Sequence, residues 1–259
     1  MRRLLLSSLL VSGVAASSAA PIAWISNANA TIDTVNVATN GSVLYGNTPF
    51  VTDSLARTTS GNLIIANGGG VLWDVTGSPV PIGATGKSQI GDLDYGNGGL
   101  WGYSNASQEL FFYDLGTFAV TYSQVISIPS TATVEGVAFQ QSTGDIYLSA
   151  HVGLNTDRLL HVPAFATSAT LIGPMANSDP FSYFSDIDFD ATGTLYAVSF
   201  YHRYFYTVST VNAATSLIST GPHKDTTGMA LNPVPEPATL ACFVLGGMLL
   251  RRRKRKATS

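Results

Sequence analysis

Residues 185–199, with the sequence SDIDFDATGTLYAVS, decide the fold that this chain is expected to adopt. Apolar Ile187 and Phe189 alternate with three aspartates, which is the period-two pattern of a β-strand. The next three residues, Ala-Thr-Gly, are typical of a tight turn, and Leu195 to Val198 favour a second strand. The stretch therefore predicts a β-hairpin.

The same hairpin pattern recurs at residues 53–66, 91–104 and 134–149. The first strands of the repeats, including a fifth near the C-terminus, align with separations of 38, 44, 50 and 42 residues. The aligned residues are Leu55, Leu93, Val137, Ile187 and Met229. Third strands are predicted at 71–75, 109–113, 158–162 and 203–208, and fourth strands at 80–82, 123–127, 170–172 and 216–218. Four strands in about 42 residues is the repeat of a β-propeller blade.

The two ends of the repeat region are expected to share one blade. Residues 228–231 resemble a first strand, while residues 22–26, 30–35 and 42–45 resemble the other three strands of a blade. Pairing them would close the ring and remove the open sheet edge. The sequence thus predicts an all-β, five-bladed propeller of four-stranded blades over residues 21–232. A β-sandwich and an irregular all-β repeat stack are the alternatives.

Charge is distributed unevenly along the 259 residues, whose formal net charge is −3. Eight of the thirteen basic residues lie at positions 2–3 and 251–256, so the propeller region has five basic and fifteen acidic residues. Its net charge of −10 repels phosphate backbones, and no nucleic-acid partner is expected. The single cysteine, Cys242, lies outside that region, which therefore has no disulfide and must be stabilised by packing.

Residues 1–20 are typical of a secretory signal peptide. Arg2 and Arg3 precede an apolar stretch too short to span a membrane, and small residues follow at 17–20. An uncleaved N-terminal anchor is the alternative. We expect the chain to be exported.

The C-terminal segment, residues 233–259, combines three features. Val234, Pro235, Glu236 and Pro237 precede an apolar run at 238–250, and Arg251, Arg252 and Arg253 open a basic cluster. We predict a transmembrane helix followed by a cytoplasmic stop-transfer signal. The run is shorter than the roughly 20 residues normally needed, and snorkelling arginines would supply part of the remaining length. A plain tail anchor is the alternative.

This arrangement resembles the PEP-CTERM sorting signal of Gram-negative bacteria, in which Val-Pro-Glu-Pro precedes a transmembrane helix and an Arg-rich tail. The resemblance implies recognition by an exosortase-type sorting enzyme and cleavage near residues 235–237. It further implies transient residence in the inner membrane, then release or attachment at the cell surface or in the extracellular matrix. The short apolar run is the departure from the family pattern.

Seven residues are expected to share one mouth of the propeller, because first strands begin and second strands end on the same face. They are Asp53, Asp92, Glu135, His151, Asp186, His202 and His223. Such a set suits a metal or sugar site, or an acid/base pair of the kind used for glycoside hydrolysis. The alternative is that the carboxylates cap turns and the histidines are merely exposed. No catalytic residue is assigned.

No cofactor is expected, and calcium is left open. Residues 186–190, DIDFD, have the spacing of a calcium loop but lack its glycine and its distal glutamate. Trp24, Trp73 and Trp101 are interpreted as packing residues rather than as sugar platforms.

The sequence therefore predicts an exported, cell-surface-directed propeller that serves as a binding or structural extracellular module rather than an enzyme. An extracellular polysaccharide is the candidate ligand. The alternative is a hydrolase or lyase that acts on such a polysaccharide through the carboxylates of the mouth.

Overall fold

A computed structural model describes residues 21–128, 132–153, 156–164, 166–178 and 182–232, and in these residues it contains twenty strands and no helix. Blade 1 consists of β4 (Ala56–Arg57), β5 (Leu63–Ala66), β6 (Val71–Asp74) and β7 (Val80–Ala84). Blade 2 consists of β8 (Ile90–Gly96), β9 (Gly99–Ser104), β10 (Glu109–Asp114) and β11 (Ala119–Val125).

Blade 3 consists of β12 (Thr133–Gln140), β13 (Asp145–His151), β14 (Asp157–Val162) and β15 (Thr170–Met175). Blade 4 consists of β16 (Phe184–Phe189), β17 (Leu195–Ser199), β18 (Phe205–Val208) and β19 (Thr215–Ser219). Blade 5 consists of β20 (Thr226–Ala230), β1 (Ile22–Asn27), β2 (Thr31–Asn36) and β3 (Ser42–Asn47). The five-bladed propeller of four-stranded blades is confirmed.

Blade 5 closes the ring as the sequence predicts. Trp24 pairs with Ala230, Ile25 with Met229 and Ser26 with Gly228 in an antiparallel ladder. The two termini of the described chain therefore contribute to one sheet. Because β1 pairs with β20, the first strand at the C-terminal end of the repeat region is not left without a sheet.

Apolar residues pack into one cluster at each of the five junctions between neighbouring blades. At the junction of blades 4 and 5, for example, Val198 and Phe205 contact Ile25 and Met229, and all four are buried. Each such side chain contributes about 1.5–3 kcal/mol of burial free energy. The core is thus a ring of interfaces between sheets, which makes every blade depend on both of its neighbours.

Many strands differ by one or more residues from their predicted bounds, and local hydrogen bonds account for two of the differences. β11 begins at Ala119 rather than 123, because Asp114 Oδ1 accepts the amide of Gly116 at 2.6 Å and tightens the preceding turn. β4 is only two residues long, since the hydroxyl of Ser54 accepts the amide of Ala66 at 3.0 Å, in place of a backbone acceptor.

The predicted signal peptide and the predicted C-terminal transmembrane helix both lie outside the described residues. Over residues 21–232, as far as they are described, no helix has the length and hydropathy to cross a membrane.

Candidate functional site

Four aspartates occupy the centre of the propeller, Asp92 and Asp94 on β8 and Asp186 and Asp188 on β16. Each one uses Oδ2 to accept a backbone N–H of the neighbouring first strand, at 2.5–2.7 Å. The donors are Val137, Phe139, Met229 and Leu231. These bonds connect blade 2 to blade 3 and blade 4 to blade 5. We call these four residues the channel aspartates.

Burial raises the pKa of every channel aspartate, and the pKa of Asp94 reaches about 7. The charge of Asp92 raises the pKa of Asp186 further. Asp92 and Asp186 are fully buried, and Asp92 Oδ1 has no hydrogen bond of normal geometry with any described residue. Two of the seven predicted residues of the mouth are therefore enclosed in the channel and do not face solvent.

Glu135 stands at the open end of the channel because of a β-bulge. The pairing of β12 with β13 shifts between Val134 and Gly136, so Glu135 is the extra residue. Equivalent bulges place Gly91 at the start of β8 and Ser185 at the start of β16. A bulge re-aims its side chain, and β12 alone among these three strands carries a carboxylate there.

The bulge brings Glu135 to His151 and Asp157, which flank the loop between β13 and β14. Nδ1 of His151 and Oδ1 of Asp157 are 2.8 Å apart, and Oδ2 of Asp157 accepts the amide of Phe184 at 2.8 Å. Asp157 is 1% exposed, so its carboxyl fixes the imidazole ring. Glu135 Oε1 accepts the hydroxyl of Thr133 at 2.6 Å.

The pKa of Glu135 shows which groups lie around it. Burial raises this pKa first, the charges of Asp53 and Asp157 raise it further, and His151 lowers it. The pKa of the Tyr183 hydroxyl is also raised, by burial and then by Glu135 and Asp53. These five residues, Asp53, Glu135, His151, Asp157 and Tyr183, are close enough to influence one another, and we call them the mouth.

Aromatic rings continue from the mouth across the same face in an unbroken series, the aromatic row. Neighbouring ring centroids in this series are 4.6, 5.0, 4.9, 6.0 and 5.5 Å apart. In order, the rings are those of His151, Tyr183, Phe200, Tyr201, His223 and His202. Tyr201 is 37% exposed. The structure therefore brings His202 and His223 together, at the far end of this row from Glu135.

The described residues include no group of three or more histidine, cysteine, aspartate or glutamate side chains arranged to hold a metal ion. In the stretch 186–190, Asp186 and Asp188 bind backbone amides, while Asp190 Oδ1 caps the hairpin by accepting the amides of Thr192 and Thr194. Calcium binding stays an untested prediction.

Six residues of the channel, the mouth and the aromatic row were not among the predicted site residues, namely Asp94, Asp157, Tyr183, Asp188, Phe200 and Tyr201. The repeated Asp-x-Asp of β8 and β16 was a signal for Asp94 and Asp188, since alternate residues of a strand point to the same side. Asp157 and Tyr183 carry no comparable signal, because their role depends on how the loops of blades 3 and 4 meet.

Residues 233–256 match the family described as the PEP-CTERM protein-sorting motif. With the fold, this defines a five-bladed β-propeller that carries a PEP-CTERM sorting signal, which implies export and surface sorting through an exosortase. Among solved structures, the chain is similar to one in the "Crystal structure of Nidogen/Laminin Complex". That match has a TM-score of 0.55 and 8% identity, and covers 82% of this chain and 98% of the other, so it shows the fold alone. No curated protein matches the chain.

Proposed function

We propose that this protein is a surface-directed binding module and that the mouth and the aromatic row hold an extracellular polysaccharide. The aromatic row is the observation that carries the proposal. Sugar rings present apolar C–H faces that pack on aromatic side chains, and a continuous series of rings suits a ligand that is itself a chain of rings. Carboxylates and imidazoles beside such a surface can hydrogen-bond to hydroxyl groups and fix the register.

The charge of the mouth narrows the class of polysaccharide. Asp53, Glu135 and Asp157 lie together there, and the propeller region carries a net −10. Acidic polymers such as polyuronates would be repelled. The proposed ligand is therefore a neutral polysaccharide or one that bears amino groups. Before processing, the C-terminal helix would hold the protein at the membrane, and sorting would then bring it to the surface where such polymers occur.

Binding to defined polymers tests this proposal. Purified residues 21–232 should bind to the neutral exopolysaccharide of the native host, or to chitosan or cellulose, and Tyr201→Ala should weaken binding by about tenfold, which is 1.4 kcal/mol. The matched control is Tyr45→Ala, which removes a ring of similar exposure (41%) on β3. Equal binding by wild type and Tyr201→Ala to every polymer, or no binding by wild type to any of them, would refute the proposal.

One feature favours a second candidate function, which is cleavage of the bound polysaccharide by hydrolysis or by β-elimination. His151 is oriented by the buried carboxyl of Asp157, and it lies near Glu135, whose raised pKa suits a general acid. An enzyme would release reducing or unsaturated ends from the bound polymer. Glu135→Gln should abolish that release and leave binding unchanged, whereas a binding module releases no ends in either form.

A further inference from the structure

The described chain leaves the propeller at the end of the channel opposite the mouth. β20 begins at Thr226, whose amide donates to the carbonyl of Phe200 in the aromatic row at 2.8 Å. Its other end leads to Leu231, which lines a small recess with Gln141 of the hairpin between β12 and β13. Since β12 runs from Glu135 in the mouth to that hairpin, the chain exits at the far end of the channel.

Hydrogen bonds fix the point of exit. The amide of Leu231 donates to Asp188 Oδ2 at 2.6 Å, and Leu231 is 1% exposed. Nη1 of Arg57 donates to Oδ1 of Asn232, while the Arg57 guanidinium lies 4.1 Å from the centroid of the Trp24 ring. Blades 1, 4 and 5 each contribute one of these partners. The residues that follow Asn232 therefore start from a defined place on the folded body.

The sorting motif begins almost at once after this point. Only Pro233 separates Asn232 from Val234, and the PEP-CTERM match covers residues 233–256. An extended chain spans at most about 3.6 Å per residue, so the five residues from Pro233 to Pro237 place the cleavage region within about 18 Å of Asn232 in any conformation. A protein of only 100 residues already has a radius of gyration of about 13 Å. An enzyme whose catalytic groups reach this region therefore meets the propeller surface around Asn232.

Four hairpins surround the exit, because β4, β8, β12 and β16 all run away from the mouth and then turn into the second strands of their blades. Together with Asn232, these hairpins form what we call the exit face, and they comprise residues 58–62, 97–98, 141–144 and 190–194. Asp190 is the only charged residue among these sixteen hairpin residues, and its Oδ1 accepts the amides of Thr192 and Thr194. In the mouth, by contrast, three of the five residues are acidic. A partner on the exit face thus meets hydroxyl, amide and backbone groups.

We propose that the exosortase-type sorting enzyme cleaves this protein while seated against the exit face, with the mouth directed away from the enzyme. The fixed exit point and the short spacing to the motif require an approach from this side. The uncharged hairpins can be covered without burying unpaired charges, which is costly elsewhere on an acidic body. The folded propeller therefore contributes a surface to the sorting step, in addition to the linear motif.

Photo-crosslinking of the full chain in the native host tests this contact. Ala191 in the exit-face hairpin of blade 4 and Ala106 in the mouth-end turn between β9 and β10 are both exposed, and neither side chain carries a hydrogen-bonding group. On irradiation, Ala191→p-benzoylphenylalanine should give an adduct that mass spectrometry identifies as the sorting enzyme. The matched control, Ala106→p-benzoylphenylalanine, should give no such adduct.

Cleavage of the tail provides a second readout in the same host. A compact domain inserted after Ala191 should prevent cleavage, so that tail-bearing protein accumulates, whereas the same domain inserted after Ala106 should leave cleavage intact. Exposed turns of this kind tolerate insertions, and resistance of the propeller region to added protease reports that each variant is folded. Neither readout needs a polysaccharide, so the outcome is independent of the proposed function.

Several outcomes would overturn the inference. It fails if the adduct formed from position 191 does not contain the sorting enzyme, or if position 106 crosslinks to that enzyme equally well. It also fails if the two insertions affect cleavage to the same extent. A wild-type protein that keeps its tail at the surface would overturn it too, because no cleaving enzyme would then act on this chain.

Discussion

Asp92 on blade 2 lies close enough to Asp186 on blade 4 for the charge of Asp92 to raise the pKa of Asp186, although β12 lies between their strands. Gly136 makes this possible. A β-carbon there would lie 2.6 Å from the backbone nitrogen of Ile187 and 2.7 Å from the hydroxyl of Ser149. Burial raises the pKa of both carboxyls, and the charge of Asp92 raises that of Asp186 further, so these groups are expected to keep their protons to a higher pH than exposed aspartates do.

The first prediction is that stability falls as pH rises. The channel aspartates have raised pKa values in the fold and ordinary values in the unfolded chain, so folding takes up protons. Their stabilising contribution is complete below the unfolded pKa of 3.8 and is lost as pH passes the raised values, about 7 for Asp94. Thermal unfolding should show a midpoint that decreases between pH about 5 and about 8.

A double variant provides the control for this pH dependence. Asp92→Asn combined with Asp186→Asn keeps an acceptor for the amides of Val137 and Met229 but removes two of the four titrating groups. Its midpoint should vary less with pH than that of the wild type and exceed it at alkaline pH. A wild-type midpoint that rises toward pH about 8 contradicts the protonated state of the channel.

The second prediction concerns ring closure through β1. Ile25 is fully buried between blades 4 and 5, so Ile25→Ala should lower the free energy of unfolding by about 2–4 kcal/mol. Ile22 begins the same strand but is 38% exposed, and Ile22→Ala should cost about 0.5 kcal/mol or less. Urea denaturation measures both, and equal costs for the two variants would argue against a closing strand at this position.

The third prediction concerns Arg203, whose guanidinium lies between blades 4 and 5. It donates to Asn40 Oδ1 at 2.9 Å and to Asp33 Oδ2 at 3.3 Å, and it is 1% exposed. Arg203→Met should destabilise the fold by about 3 kcal/mol, because buried acceptors lose their donor. Lys224→Met removes the other cation bound to Asp33, but its side chain is 34% exposed, so this change should cost about 1 kcal/mol or less. A larger loss of stability for Lys224→Met than for Arg203→Met would contradict the prediction that Arg203 contributes more to this junction than Lys224 does.

The fourth prediction concerns processing at the C-terminus. Since residues 233–256 match the PEP-CTERM motif, the surface-located protein of the native host should lack the residues after about 237, as the cleavage near 235–237 implies. Intact-mass measurement checks this directly. Glu236→Ala should keep the tail and remain in the membrane fraction, whereas Thr239→Ala, two residues after the Val-Pro-Glu-Pro sequence, should be processed normally. Finding Arg251 to Ser259 on surface-located wild type would contradict sorting by cleavage.

The blade count and the closure of the ring were predictable from the sequence because both follow from local patterns. Alternation of apolar residues defines a strand, turn residues separate strands, and the pattern repeats at intervals near 42 residues. The unpaired first strand at 228–231 and the surplus strands at 22–45 left one arrangement that completes every blade. The sorting motif is likewise a short linear signal, which requires no tertiary structure to be recognised.

The candidate site was only partly predictable, and the position of Glu135 in its strand shows why. Glu135, Asp92 and Asp186 all stand near the start of a first strand, and the sequence alone treats them as equivalent. The bulge at Glu135 turns its side chain to the open mouth, whereas Asp92 and Asp186 follow the bulges of their strands and point into the channel. A single extra residue in a ladder changes which side of a strand each side chain occupies, and only the paired sheet reveals it.

The sequence by itself thus determined the repeating unit, the number of blades and the sorting signal. Tertiary structure decided which carboxylates are buried, which rings form a continuous row and from which face the chain leaves the ring. These depend on contacts between residues of different blades, such as His151 with Tyr183 and Asp92 with Asp186. Such contacts arise when the sheets pack around a common axis, and no spacing along the chain encodes them.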